Sequence, residues 1–157
     1  MPAPAPAYRH RMPRCLGLAI ACAGCAYGAG SYHDLLSPGP AWPGARVELA
    51  CLDVAIEPVH DAVAPDPVIA LRFGNRCDHR VVVDLAAVRV TTGDVALAPH
   101  DPDRALLPRA LPARWTGDET IAYEPAGATS RVCVDVGALE RGTRSRGAVR
   151  CFDGASP

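Results

Sequence analysis

The sequence lacks lysine and has almost no net charge. All 16 basic residues are arginine, and 17 acidic residues oppose them, so the formal net charge is −1 over 157 residues. A protein that is drawn to nucleic acid by its overall field needs a clear excess of positive charge. The charge balance therefore predicts no nucleic-acid partner.

The N-terminal region has no apolar run long enough to cross a bilayer. Its apolar stretch, Leu16–Ala23, is far shorter than the roughly 20 residues that a membrane-spanning helix needs. Three arginines precede this stretch and small residues follow it, which is the order of a secretory signal peptide. We therefore expect export, with a signal peptide over residues 1–24; Met12 is an alternative start.

The end of this segment, CAGC at residues 22–25, resembles the lipobox of bacterial lipoproteins, whose usual form is Leu-(Ala/Ser)-(Gly/Ala)-Cys. The last three residues match, and Cys22 stands where leucine is usual. The resemblance implies cleavage before Cys25, a lipid on that cysteine and attachment to the cell envelope. The next residue, Ala26, is not the aspartate of inner-membrane retention, which implies the outer membrane in a cell that has one.

The number of cysteines favours lipidation over ordinary secretion. Lipoprotein processing would remove Cys15 and Cys22 and modify Cys25, which leaves an even number in an exported, oxidising compartment. The alternative, cleavage after Ala23, leaves one unpaired thiol. The cysteines that remain for disulfides are Cys51, Cys77, Cys133 and Cys151.

The expected strand order suggests how these cysteines pair. Cys133 and Cys151 lie almost symmetrically about the loop at 137–147, so a hairpin would set them opposite each other. Cys51 and Cys77 reach the same end when the first two strands pair antiparallel. We predict Cys51–Cys77 and Cys133–Cys151, while the pairings 51–151 with 77–133 and 51–133 with 77–151 stay open. Each bridge would contribute roughly 2–4 kcal/mol.

Residues 25–45 are rich in glycine and proline and have no sustained periodicity. Proline precludes a helix, so this stretch predicts a flexible tether after the lipidated cysteine. Its larger apolar side chains are candidates to dock on the domain: Tyr32, Leu35, Leu36 and Trp42.

Beyond the tether, apolar and polar residues alternate in short segments. In the expected first strand, over 45–59, Leu52, Val54 and Ile56 share one face. Similar segments, including an expected strand over 80–91, follow without a long amphipathic helix. The pattern predicts an all-β fold, an antiparallel immunoglobulin-like β-sandwich of about seven strands over residues 46–157.

One segment carries a resemblance to known domains. VIALRFGNRCDHRVVVDLAAVRV, at 68–90, resembles the strand, asparagine turn and strand of bacterial immunoglobulin-like domains, and it is distantly similar to water-stress (late-embryogenesis type) domains. The resemblance implies the fold and transfers no catalytic residue. Within it, Gly74 and Asn75 are expected to take left-handed backbone conformations at a strand end.

The sequence contains no nucleophile elbow, metalloprotease helix, phosphate-binding loop or dinucleotide fingerprint. We therefore predict no catalytic residue, no cofactor and no metal. Its weak metal candidates are Cys77, His79 and His100, with Asp101 and Asp103 as oxygen ligands. The expected protein is a non-catalytic binding or structural module with an envelope protein as partner. The alternative is a secreted enzyme or metal-binding protein with a dispersed site around His79, His100 and Asp101.

Overall fold

The structure is a computed structural model that describes residues 26–35, 39–59, 66–102, 106–125 and 131–153. These residues form ten β-strands and a single 3-10 turn, Leu85–Ala87. The strands are β1 (Ala45–Glu48), β2 (Leu52–Val59), β3 (Val68–Asn75), β4 (Val81–Val83), β5 (Arg89–Thr92), β6 (Val95–Ala96), β7 (Arg109–Leu111), β8 (Thr116–Ala122), β9 (Arg131–Asp135) and β10 (Val149–Asp153).

Two four-stranded sheets make the body of the fold. The first has the order β1-β2-β3-β8 and the second the order β10-β9-β5-β6, while β4 and β7 form a separate pair. Neighbouring strands run antiparallel throughout the described pairings. The predicted all-β antiparallel sandwich is confirmed.

The core lies between the two sheets because side chains alternate across each strand. Leu52, Val54 and Ile56 of β2 are fully buried, as the alternation predicted. They belong to one apolar cluster with Val90 of β5 and Val134 of β9, so both sheets contribute to the same interior.

The described part of the chain has ten strands where about seven were expected, because two predicted strands divide and β7 forms in a stretch for which no strand was predicted. The stretch 45–59 reverses after Glu48 and forms the β1–β2 hairpin, in which Glu48 lies opposite Asp53. The stretch 80–91 is interrupted by the 3-10 turn, so that β4 pairs with β7 and β5 pairs with β9. Leu85 is fully buried at this interruption, and the apolar pattern therefore continues through it.

The outer face of the first sheet is covered by an N-terminal segment, which we call the strap: residues 26–35 and 39–44. Tyr27, Tyr32 and Trp42 of the strap form a second buried cluster with Ala55 of β2, and Leu35 packs against it partly buried. These residues belong to the stretch for which the sequence predicted a tether with docking side chains; Leu36 lies outside the described residues. The sheet is thus buried on both faces at β2.

Candidate functional site

The strap is seated on β3 at Gly74. A Cβ atom on this residue would clash with the ring of Tyr27, so the ring lies directly on the backbone of the strand. Gly74 and Asn75 are not among the residues with positive φ, so the left-handed backbone expected there is absent. The side chain of Asn75 instead closes the strand end, donating to the backbone oxygens of His79 and Pro112 at 2.8 and 2.9 Å.

A fully buried carboxylate holds the strap to the sheet. Asp53 Oδ2 accepts hydrogen bonds from Tyr27 Oη at 2.8 Å and from the Gly30 backbone N at 2.7 Å. Asp53 Oδ1 accepts no hydrogen bond from the described residues, but it lies 3.5 Å from Arg76 Nη1, within ion-pair distance. Burial and the neighbouring Asp53 raise the pKa of Tyr27, so its hydroxyl stays protonated and donates to the carboxylate.

The aromatic side chains of the strap stack on one another. Tyr27 and Trp42 lie nearly parallel with ring centroids 5.7 Å apart, and Tyr32 meets Trp42 edge-on at 6.0 Å. The guanidinium of Arg46 lies 4.6 Å from the centre of the Tyr32 ring. Trp42 Nε1 donates to Asp34 Oδ1 at 2.9 Å. Each such aromatic pair adds about 0.5–1.5 kcal/mol beyond its buried area.

The strap begins beside an exposed tryptophan. The backbone N of Tyr27 donates to the oxygen of Arg114 at 2.6 Å, and Arg114 has a positive φ of 56°. The next residue, Trp115, is 48% exposed. It borders an open groove of about 210 Å³ that Asp34 and Leu35 of the strap also line. It also borders a second groove of about 280 Å³ between β7 and β8.

Cys51 and Cys77 form a disulfide at the same end of the sandwich. The backbone N of Arg114 donates to the oxygen of Cys77 at 3.2 Å, which ties this bridge to the turn before Trp115. His79 Nε2 lies 3.8 Å from Cys51 Sγ, and the two sulfurs and a His79 nitrogen lie within 4.8 Å of one another. Because both sulfurs are bonded to each other, they offer no thiolate to a metal ion.

The other candidate ligands from the sequence do not join this group. His100 Nε2 lies 3.2 Å from Asp66 Oδ2, and Asp101 is exposed. Within the described ranges, no cluster of metal-ligand atoms contains His100 or Asp101 together with His79. Asp103 and the predicted lipidation site, Cys25, lie outside the described residues.

The second disulfide joins Cys133 and Cys151, which lie directly opposite each other on β9 and β10. With Cys51–Cys77, it completes the connectivity that sequential strand pairing predicted. Each bridge joins two neighbouring antiparallel strands or their immediate ends.

Two acidic residues that are buried in the structure were not predicted to be buried. Glu140, in the β9–β10 connection, accepts a hydrogen bond from the Cys51 backbone N through Oε2 at 2.8 Å. Asp53 lies on the opposite face of β2 from Leu52, Val54 and Ile56, and it is fully buried there under the strap. The sequence signal for Asp53 was its place between the apolar residues Leu52 and Val54.

No family model and no curated protein matches the chain. Among solved structures it is similar to a "putative lipoprotein (ycdA)" from Bacillus subtilis, with a TM-score of 0.50 and 11% identity over 73% of this chain. The chain spans about 40% of the length of that protein. It is also similar to the yjhA protein from Bacillus subtilis, with a TM-score of 0.46 and 9% identity, covering 62% of this chain and 82% of that one.

At this level of identity, the similarity to ycdA shows a shared fold and nothing more. The fold and site define a small β-sandwich domain with a strap across one sheet. Within the described residues there is no helix with the length and apolar character needed to span a membrane.

Proposed function

We propose that the protein is a lipid-anchored β-sandwich of the cell envelope, attached through Cys25. The observation that carries this proposal is the CAGC sequence at 22–25, which ends immediately before the strap begins at Ala26. The cationic segment before Cys25 has three arginines and no acidic residue, as expected of a removed signal peptide. The lipoprotein description of ycdA agrees with the proposal, although the likeness is one of fold.

The anchored domain acts as a binding or structural module with an envelope protein as partner, and its membrane is the outer membrane in a cell that has one. Its support is the lack of a catalytic motif in the sequence. The alternative, a metal or enzyme site around His79, His100 and Asp101, has less support. The sulfurs next to His79 are bonded to each other, and His100 is engaged with Asp66.

Lipid labelling in a bacterium with lipoprotein processing tests the anchor. The wild-type protein should take up labelled palmitate and partition into detergent, and Cys25→Ser should lose both properties. Cys22→Leu is the matched control, because it removes a neighbouring cysteine and completes the lipobox; it should remain lipidated. A soluble wild-type protein that starts at Gly24 would replace this proposal with simple secretion.

A further inference from the structure

The start of the strap fixes where a lipid on Cys25 would lie. Cys25 precedes Tyr27 by two positions, so their Cα atoms are at most about 7 Å apart. Tyr27 is held at both ends, by its backbone N on Arg114 and by its hydroxyl on the buried Asp53. The lipid would therefore begin beside the turn that contains Arg114, at one end of the sandwich.

The strap leaves almost no free chain between that lipid and the domain. An undocked stretch of 20 residues would average roughly 25 Å from end to end and would let the domain turn freely above the membrane. The docked strap replaces it with a connection of two residues. Lengthening this connection would require the buried Tyr27–Asp53 hydrogen bond and the Tyr27–Trp42 stack to break.

The surface at this end suits a phospholipid interface. Trp115 is half exposed and adjoins the Arg114 carbonyl that binds the strap. Tryptophan favours the boundary between headgroups and acyl chains, because its ring is apolar and its N–H is polar. The side chains of Arg80 and Arg114 are exposed on the neighbouring turns, and arginine is attracted to lipid phosphate groups.

We propose that this surface, Arg114 and Trp115 with the bordering Leu35, lies against the phospholipid headgroups of the membrane that holds the lipid. The inference deepens the proposed function and rests on it, because the lipid on Cys25 brings the surface to the bilayer. The sandwich then stands end-on, with the Cys51–Cys77 bridge near the membrane and the far ends of β2 and β3 directed away from it.

Iodide quenching of tryptophan fluorescence tests this orientation without disturbing the strap. The chain has two tryptophans, and Trp42 is only 2% exposed, so iodide reports on Trp115. In the soluble mature chain with Cys25→Ser, iodide should quench Trp115 readily. In the acylated protein in phospholipid nanodiscs, most of that quenching should be lost and the emission should shift to shorter wavelength. Trp115→Phe, which leaves Cys25 intact, should lack the iodide-sensitive emission in both states.

A second arm separates the orientation from native lipidation. The mature chain that begins at Cys25 is coupled through this thiol to a maleimide lipid in preformed vesicles, where it should show the same protection of Trp115. If the protein is not acylated in cells, the proposed function is wrong, but the vesicle experiment still tests the orientation. If iodide quenches Trp115 fully in both nanodiscs and vesicles, the inference about orientation is wrong even though the protein is lipidated. The accessibility of Trp115 is also measured in native membranes: protection there, without protection in nanodiscs or vesicles, would overturn the inference too, since a protein would then cover Trp115.

Discussion

Asp53 is a carboxylate with no exposed surface, on the face of β2 that the strap covers. Burying an ionised group is costly unless it is paired and hydrogen-bonded. Two hydrogen bonds, from Tyr27 and Gly30, and the nearby Arg76 offset that cost. Since two of these three partners belong to the strap, the carboxylate is satisfied only when the strap is docked.

Gly74→Ala should loosen the strap without changing any polar group. The added methyl would clash with the Tyr27 ring, and forced overpacking typically costs about 1–3 kcal/mol. We expect a lower melting temperature and a red-shifted Trp42 emission, because Trp42 stacks on Tyr27. Gly28→Ala is the control, since its methyl would meet only Ser31 at an ordinary 3.7 Å. Equal stability of the two variants would contradict the close contact at Gly74.

The buried tyrosines should make the fold sensitive to high pH. Burial and Asp53 raise the pKa of Tyr27, and burial raises the pKa of Tyr123 to about 12. Because these folded-state pKa values exceed the unfolded value of about 10, the stabilisation is complete below pH 10. It is lost as the pH rises through the folded values.

Urea denaturation across this range measures the effect. The free energy of unfolding should fall above about pH 10, and no lysine is present to titrate alongside the tyrosines. Tyr27→Phe should reduce the fall, since it removes one of the shifted groups, at the cost of its hydrogen bond to Asp53. An unfolding free energy that is constant from pH 9 to about 12 would contradict the assignment.

The strap acts as a third layer on the first sheet, and this layer changes the meaning of the strand pattern. Along β2 every residue from Leu52 to Ile56 is buried. Alternation still separates the two faces, but the outer face packs against the strap instead of water. A strand covered on both faces leaves no exposed apolar patch on which another chain could associate.

The two disulfides secure neighbouring strands at different places in the fold. Cys51–Cys77 closes a loop between cysteines 26 positions apart in the sequence, at the end of the β2–β3 pair. Cys133–Cys151 closes a loop between cysteines 18 positions apart, across β9 and β10. Loops of this size predict about 3 kcal/mol from each bridge.

Thiol titration and thermal melting test these bridges. The mature domain of Cys25→Ser should show no free thiol, and reduction should lower its melting temperature by many degrees, since 1 kcal/mol corresponds to roughly 4 °C. The double variants Cys51→Ser/Cys77→Ser and Cys133→Ser/Cys151→Ser should each show part of this loss. Peptide mapping that found 51–151 and 77–133 would contradict the sequential strand pairing, and four free thiols under oxidising conditions would contradict export as well.

Three parts of the molecule meet at one end of the sandwich. The start of the strap, the Cys51–Cys77 bridge and the turn at Arg114 meet there through backbone hydrogen bonds. Arg76 binds the β1–β2 turn at the same end, donating to the backbone oxygens of Leu49 and Ala50. If the protein is anchored by this end, the other end of the sandwich points away from the membrane surface.

The purified protein should carry no stoichiometric zinc, copper or calcium. The cluster of Cys51, Cys77 and His79 lacks thiolates while the disulfide is intact, and a single imidazole binds metal weakly. Elemental analysis of the oxidised protein measures this directly, with His79→Ala as the comparison. About one metal per chain in the wild type, lost in His79→Ala, would contradict the prediction.

Much of the fold was predictable because its signals are local. The alternation around Leu52, Val54 and Ile56 reflects side chains that point to opposite faces of one strand. The near-symmetric spacing of Cys133 and Cys151 about the loop at 137–147 suggested their pairing. The divided stretch at 80–91 was not predictable, because Leu85 continues the apolar pattern through the point where the chain changes sheets.

The sequence by itself determined the all-β class and the residues that face the core, since both depend on side-chain alternation within each strand. It also contains the lipobox-like CAGC on which the proposed anchor depends. Only the tertiary structure decided that the strap covers the first sheet, and that Gly74 leaves room for the Tyr27 ring to lie on the strand backbone. The physical reason is distance along the chain: Tyr27 and Asp53 are 26 positions apart, and no local pattern encodes the hydrogen bond that brings them together.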